Sequence, residues 1–328
     1  MYNIKYHTED ISKYSFLITG GAGFIGSNIV EYLLKFGAKK VVVFDNLATG
    51  FADNLKEFLG NPSFQFIQGD ICNYEACVKA VEGIDYVLHQ AALGSVPRSI
   101  KNPVATNAVN IGGFVNIAFA AKEANVRRMV YASSSSVYGD SKQLPKIESV
   151  IGAPLSPYAV TKLADELYAK VFKDVYGMEI IGLRYFNVFG PKQSPTGEYA
   201  AAIPLFLNAL KNNESANING DGEQTRDFTF VENAVQANIK ACFSTDKNAI
   251  GSVYNIAVGE RISINQLYTI LKNTIGSNVN PNYREARIGD VRDSLADITN
   301  AQKELGYQPQ IRVEDGLKKT VEWFYKNI

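Results

Sequence analysis

Phe16-Leu17-Ile18-Thr19-Gly20-Gly21-Ala22-Gly23-Phe24-Ile25-Gly26-Ser27-Asn28-Ile29-Val30-Glu31-Tyr32-Leu33-Leu34 decides how this chain folds. Phe16 to Ile18 is a short apolar run that reads as a buried strand. Four glycines follow within seven positions, and Ile25, Ile29, Tyr32 and Leu33 then recur at helical spacing. The stretch therefore predicts a strand, a tight turn and a helix. Glycines in such a turn let the backbone approach a pyrophosphate, and the helix N-terminus offers it unpaired N–H groups and partial positive charge. A second apolar run, Val41 to Phe44, ends in Asp45, 19 residues after Gly26, where a carboxylate binds the adenosine ribose of a dinucleotide. An acid there repels a 2′-phosphate, so the pattern favours NAD over NADP.

Working outward, strands are expected at 64–68, 86–89, 129–132 and 180–185, alternating with helices that include 107–125 and one opening at Ser156-Pro157. This alternation argues for an α/β fold, a Rossmann-like doubly wound parallel sheet. Beyond residue 186 it breaks down. The segment 187–231 reads as binding loops rather than core, and strand 253–257 with helices 263–275 and 313–326 completes a smaller C-terminal substrate-binding portion. The expected division is a dinucleotide-binding domain over 1–186, receiving segments around 228–258, and a substrate domain over 187–328. Residues 1–13 read as a loose arm or a short leading helix without function.

Composition excludes several classes. The 328 residues carry 33 Lys and Arg against 33 Asp and Glu, so the charge excess that accompanies nucleic-acid binding is missing. Cys72, Cys77 and Cys242 are too scattered for a disulfide framework and read as reduced packing residues, which suggests a cytoplasmic protein. With only His7 and His89, no metal-ligand spacing exists, and no metal is expected. The polar N-terminus is unlike a signal peptide, and no apolar run reaches the roughly 18 residues of a membrane span.

Three features carry chemistry. Ser133 to Ser136 close the fifth strand, at the sheet edge where open parallel sheets bind ligands. Tyr158 and Lys162 share one face of the next helix. A phenol with an ordinary pKa of about 10 needs roughly 4 kcal/mol of phenolate stabilisation to act as a base near neutrality, and an ammonium one turn away helps to supply it. His89, within an apolar strand, reads as a satisfied core histidine. Asp70, after the third strand, reads either as a neighbour of the adenine or as the N-cap of helix 73–82.

Together, Thr19 to Gly26, Ser133 to Gly139, Ser156-Pro-Tyr-Ala-Val-Thr-Lys162 and Leu183 to Gly190 resemble the extended short-chain dehydrogenase/reductase family, and within it the UDP-hexose 4-epimerases. Gly220 to Asp227 and Arg287 to Arg292 extend the likeness. His89 to Ser99 is similar to the UDP-N-acetylglucosamine 4-epimerases of bacterial surface-polysaccharide pathways. The resemblance implies tightly held NAD, regenerated each cycle. It places Gly20, Gly23, Phe24, Ile25 and Gly26 at the pyrophosphate and Asp45, Asn46 and Gly50 at the ribose. Asp70 and Ile71 fall beside the adenine, and Gln90, Ala91, Ala92, Asn110 and Tyr185 along the cofactor.

On the substrate side it implies a UDP-sugar that meets Gly94, Ser95, Val96, Ser134, Ser135, Ser136, Asn187, Ala201, Arg226, Arg287, Asp290 and Ser294. Ser134 holds the reacting hydroxyl with help from Ser135, Tyr158 is the base and Lys162 its partner. The implied reaction oxidises C4 to a ketone, turns the sugar about its diphosphate linkage and returns hydride to the other face. The relative that acts on UDP-galactose in enteric bacteria has tyrosine at the place of Ser294 and asparagine at that of Ala201. The smaller residues here favour an N-acetylhexosamine, with the uronic acid and the plain hexose as alternatives. Lys or Arg residues such as Arg98 and Lys101 would suit a carboxylate. Ser135 and Ser136 replace the acids that dehydratases and decarboxylases need before Val-Tyr-Gly. A homodimer through helices 107–124 and 157–174 is also implied. A non-enzymatic dinucleotide sensor is the reading from another class.

Overall fold

The computed structural model describes residues 1–195, 201–285 and 292–327. The chain begins with β1 (Ser15–Thr19), α1 (Phe24–Lys35), β2 (Lys40–Asp45), β3 (Phe64–Gln68), α2 (Tyr74–Ala80) and β4 (Tyr86–His89). Next come α3 (Val96–Lys101), α4 (Pro103–Asn107), α5 (Gly113–Glu123), β5 (Arg128–Ser134), α6 (Pro157–Tyr176) and β6 (Ile180–Tyr185). The second half holds β7 (Val188–Phe189), α7 (Ala202–Lys211), β8 (Asn217–Asn219), β9 (Thr225–Arg226), β10 (Thr229–Phe230) and α8 (Val231–Phe243). It ends with β11 (Val253–Ile256), β12 (Ile262–Ser263), α9 (Ile264–Ile275), β13 (Asn282–Arg284) and α10 (Val313–Asn327).

Seven strands form one parallel sheet in the order β11-β6-β5-β4-β1-β2-β3. β1, β2, β4 and β6 carry no side-chain alternation because helices cover both faces of the sheet, and their residues are almost entirely buried. The strand order reverses between β1 and β4, which opens a crevice at their C-terminal ends. β11, from the second half of the chain, pairs with β6 through Val253–Gly182 to Ile256–Tyr185. A separate core of Phe206, Leu207, Leu210, Phe228, Phe230, Leu267, Leu271 and Leu317 lies under α7, α9 and α10.

Several expectations change. The segment 187–231 is not merely loops: α7 lies inside it, with Ile203, Phe206, Leu207 and Leu210 buried at helical spacing, and α8 starts at its end. Helical structure before β5 starts at Pro103, not 107, because Asn102 caps it and a π turn (Ala108–Gly112) joins α4 to α5. By length and composition the run Pro103–Glu123 is apolar enough to cross a membrane, contrary to the expectation that no run reaches that length. Its apolarity is that of a core helix on one side, where Phe114, Ile117, Ala118 and Ala121 pack on the sheet. Residues 1–13 are no loose arm. Tyr2 is buried, with its hydroxyl donating to the Asn28 carbonyl at 3.0 Å, and Tyr6 stacks on Tyr32 at 5.2 Å. Cys72 is exposed, whereas Cys77 and Cys242 are buried.

One carboxylate ties together three segments of the second half. Asp227 is wholly buried and accepts from the backbone N–H groups of Val258, Gly259 and Ala296 at 3.0, 3.2 and 3.3 Å. Asp227→Ala leaves these donors unpaired, so unfolding in denaturant should show a loss of roughly 3 kcal/mol. A loss below about 0.5 kcal/mol would mean that the carboxylate holds nothing together.

Candidate active site

Three cavities lie at the C-terminal edge of the sheet. The first is lined by Gly20, Gly23, Asp45, Asn46, Gly50, Ile71, Gln90, Ala91 and Ala92, with Phe44, Ala48, Thr49, Gly69, Leu93 and Val109. It occupies the crevice between β1 and β4. Gly20 has φ +68°, and a Cβ there would lie 2.6 Å from the Ala91 nitrogen. A Cβ on Gly26 would lie 2.3 Å from the Gly20 carbonyl oxygen, so helix α1 sits close against the turn. The Asp45 carboxylate accepts from Ala22 N at 3.0 Å and Leu47 N at 2.8 Å, which fixes it at the end of β2. Burial pushes its pKa up, and the two N–H groups pull it back. A glycine cradle of this kind, facing a helix N-terminus and an anchored acid, fits NAD.

The other expected cofactor residues sit on the elements around this cavity. Phe24 and Ile25 open α1, and Gly26 packs against the turn. Asn73, not Asp70, caps α2; Asp70 accepts instead from Asn46 Nδ2 at 3.0 Å and Cys72 N at 2.8 Å. Asn110 is buried and braces the wall rather than lining it, accepting from Leu93 N at 2.8 Å and donating to Thr161 Oγ1 at 3.0 Å. Tyr185 donates to Gln90 Oε1 at 3.0 Å and so orients a residue that lines the cavity. His89 is only half satisfied. Its Nδ1 meets Thr19 Oγ1 at 2.7 Å, while Nε2 has no partner among the described residues. Burial, aided by the Lys162 charge, drives its pKa down to about 3, so it is a neutral imidazole.

The second cavity is lined by Val96, Ser135, Ser136, Tyr138, Lys146, Ser156, Ala159, Asn187, Arg226 and Ser294, among others. The third lies beneath α7 and includes Asn187, Ala201, Asn217, Asn219, Gln224, Arg226 and Phe228. Asn187 and Arg226 border both. Ser134 is the last residue of β5, and its Oγ accepts from Ser136 N at 3.1 Å. Ser95 caps α3 with its hydroxyl, accepting from Arg98 N, and Gly94 precedes it. Arg287 and Asp290 lie outside the described residues.

Helix α6 brings Tyr158 to this edge. Ser156 caps it, accepting from Ala159 N at 3.2 Å, Pro157 fills its first position, and Gly177 ends it in a left-handed conformation. Tyr158 is half-buried in the first turn, between Ser156 and Ala159 of the cavity wall. One turn on, Lys162 is buried and its ammonium donates to the Ala132 carbonyl at 2.9 Å and to Asp165 Oδ2 at 3.1 Å. Glu166 receives Arg184 in a two-pronged pair at 2.9 and 2.7 Å and Ser133 Oγ at 2.5 Å. Asp165 and Glu166 stand out only in the structure, although as acids at i+3 and i+4 from Lys162 they are visible in the sequence. The same holds for Lys146, a buried cation in the second cavity whose Nζ donates to the Ser141 carbonyl.

Comparison with known proteins agrees with this geometry. Residues 16–257 match the NAD dependent epimerase/dehydratase family. The chain belongs to that family. A putative UDP-glucose 4-epimerase of Methanocaldococcus jannaschii is 37% identical, over 95% of this chain and 98% of that protein. Among solved structures, the UDP-N-acetylglucosamine 4-epimerase from Methanobrevibacter ruminantium M1, in complex with UDP-N-acetylmuramic acid, is 39% identical with TM-score 0.91. That match covers 96% of this chain and 99% of the other. The UDP-glucuronic acid 4-epimerase from Bacillus cereus, in complex with UDP-glucuronic acid and NAD, is 32% identical with TM-score 0.89, covering 96% of this chain and 100% of the other.

For a member of this epimerase/dehydratase family, the glycine cradle carries a direct expectation. Gly26→Ala should fold but release its NAD, lowering the dinucleotide that copurifies by tenfold or more, as read from absorbance of the denatured protein. Undiminished NAD would show that the turn does not hold it.

Proposed function

We propose that this protein is a UDP-sugar 4-epimerase whose preferred substrate is a UDP-N-acetylhexosamine, interconverting UDP-N-acetylglucosamine and UDP-N-acetylgalactosamine. The observation that carries the sugar assignment is Ser294. This small residue lines the second cavity beside Ser135 and Ser136, leaving the volume of an aromatic ring for an N-acetyl group. In the third cavity Ala201 is equally small.

In this reading, the third cavity takes the nucleotide, with Arg226 at its border with the second for the diphosphate. The sugar enters the second cavity, where Ser134 and Ser135 hold the C4 oxygen. Tyr158 takes the hydroxyl proton and later gives it back, and the Lys162 ammonium favours its anionic form. Bound NAD supplies the electron-pair acceptor and donor for C4. Gripping the nucleotide rather than the sugar leaves the 4-keto sugar able to turn. Ser135 and Ser136 also weigh against dehydration, since neither is an acid able to protonate a leaving hydroxyl.

We also infer a homodimer. Val160, Leu167, Val171 and Val175 form an exposed apolar stripe along α6, and Ile100 and Val104 are exposed nearby on α3 and α4. Two copies of α6 packed by this stripe, with the helices before β5, make a four-helix bundle. Introducing Asp at both Leu167 and Val171 should convert a dimer to a monomer by light scattering. An unchanged mass would rule out this face.

The substrate reading is tested by adding UDP-N-acetylglucosamine to purified protein without added NAD and following anomeric protons by NMR. Signals of UDP-N-acetylgalactosamine are expected, and Ser294→Tyr should reduce that turnover at least tenfold while sparing UDP-glucose. Turnover of only UDP-N-acetylglucosaminuronate or UDP-glucose by the unaltered protein would overturn the assignment.

A further inference from the structure

Lys162 and Asp165 form an ion pair whose side chains are 2% and 0% exposed. The pair lies one turn beyond Tyr158 on the same helix, and its arrangement is one-sided. Asp165 Oδ2 takes one ammonium proton, while Oδ1 is buried without a partner among the described residues. The neighbouring Glu166 is different, because Arg184 and Ser133 occupy both of its oxygens. Asp165 thus ties down no backbone group. What it faces is the charge of Lys162.

Other groups around the pair do not replace it. Tyr131, from β5, has a buried hydroxyl with no partner among the described residues, and burial together with the Glu166 and Asp165 charges keeps that phenol protonated. His89, from β4, is neutral. Arg184, from β6, is paired to Glu166. Burial pushes the Asp165 carboxyl up to about 6, with Lys162 pulling it back, so it carries its charge at neutral pH.

We propose that Asp165 is a positioning residue that sets the strength of Tyr158 as a base, because its carboxylate competes with the Tyr158 phenolate for the single Lys162 ammonium. With Asp165 ionised, the Lys162–Asp165 pair presents no net charge to the phenol. The base form of Tyr158 then builds up at higher pH than the ammonium alone would allow. This inference rests on the assignment of Tyr158 as the base.

The test is the pH dependence of kcat/KM for UDP-N-acetylglucosamine in the NAD-loaded enzyme and in Asp165→Asn and Asp165→Glu. Asp165→Asn should move the acidic limb lower by up to about one pH unit, with a gain of up to roughly tenfold just below the limb that fades as pH falls through about 6, where Asp165 itself becomes protonated. Asp165→Glu keeps the charge and should leave the limb within a few tenths of a unit. A limb that stays in place or moves upward in Asp165→Asn would overturn the proposal. Should Asp165→Asn fail to fold with NAD, Asp165→Ser removes the charge without adding volume and carries the same expectation. Tyrosinate absorbance, taken as the difference between each protein and its Tyr158→Phe counterpart, follows the same ionisation without turnover. A downward shift is expected there too, and none would overturn the proposal. If Tyr158→Phe keeps full turnover, the base assignment itself fails, a result distinct from failure of the Asp165 inference.

Discussion

Everything at the catalytic edge depends on two ion pairs buried between helix α6 and the strands beneath it. Lys162–Asp165 and Arg184–Glu166 remove four charges from water. Burying charge is costly unless geometry and hydrogen bonds offset it. Here the offset is built from the sheet: Ala132 and Ser133 of β5 and Arg184 of β6 each give a bond to a charged group on α6. Since these partners exist at only one register, α6 has only one seat on the sheet. That seat puts Tyr158 in the helix's first turn, between Ser156 and Ala159 of the cavity that Ser135 and Ser136 also line.

The other half of the site follows from a different constraint. A substrate whose sugar must turn has to be held by its nucleotide. In the proposed assignment the separation comes from the cavities, with Ser135, Ser136 and Ser294 lining the one given to the sugar and Asn187 and Arg226 bordering both. The boundary is stiff because Asp227, next to Arg226, gathers three backbone N–H groups from the segments around 258 and 296. Ser294, with its amide bonded to the Thr225 carbonyl at 3.1 Å, belongs to the same seam. The residue on which the proposed sugar preference rests therefore belongs to the same packed seam as Asp227.

Much of this was legible in the sequence because local chemistry dictated it. Gly20 and Gly26 stand where a side chain would run into backbone, Ser156-Pro157 make a good helix start, and Tyr158 and Lys162 share a face by spacing alone. What escaped depended on distant partners. Ile203, Phe206, Leu207 and Leu210 had helical spacing but were masked by the Gly, Pro and Asn around them. Tyr2 and Tyr6 looked like part of a loose arm because their partners, Asn28 and Tyr32, lie on α1. His89 reads as an ordinary core residue, yet its Nε2 has no partner among the described residues. Asp165 and Glu166 look like solvent-facing acids of an amphipathic helix, and only the sheet beneath them turns them into counter-ions.

The central claim is that C4 is oxidised and reduced again by one retained cofactor, with Tyr158 moving only the hydroxyl proton. Epimerisation of UDP-N-acetylglucosamine in deuterium oxide, followed by proton NMR of C4 in the product, tests it most directly. The account predicts full retention of the C4 proton over many turnovers, since the hydrogen on carbon never meets solvent. Deuterium at C4 would contradict it and would mean that the carbon centre exchanges its hydrogen with water.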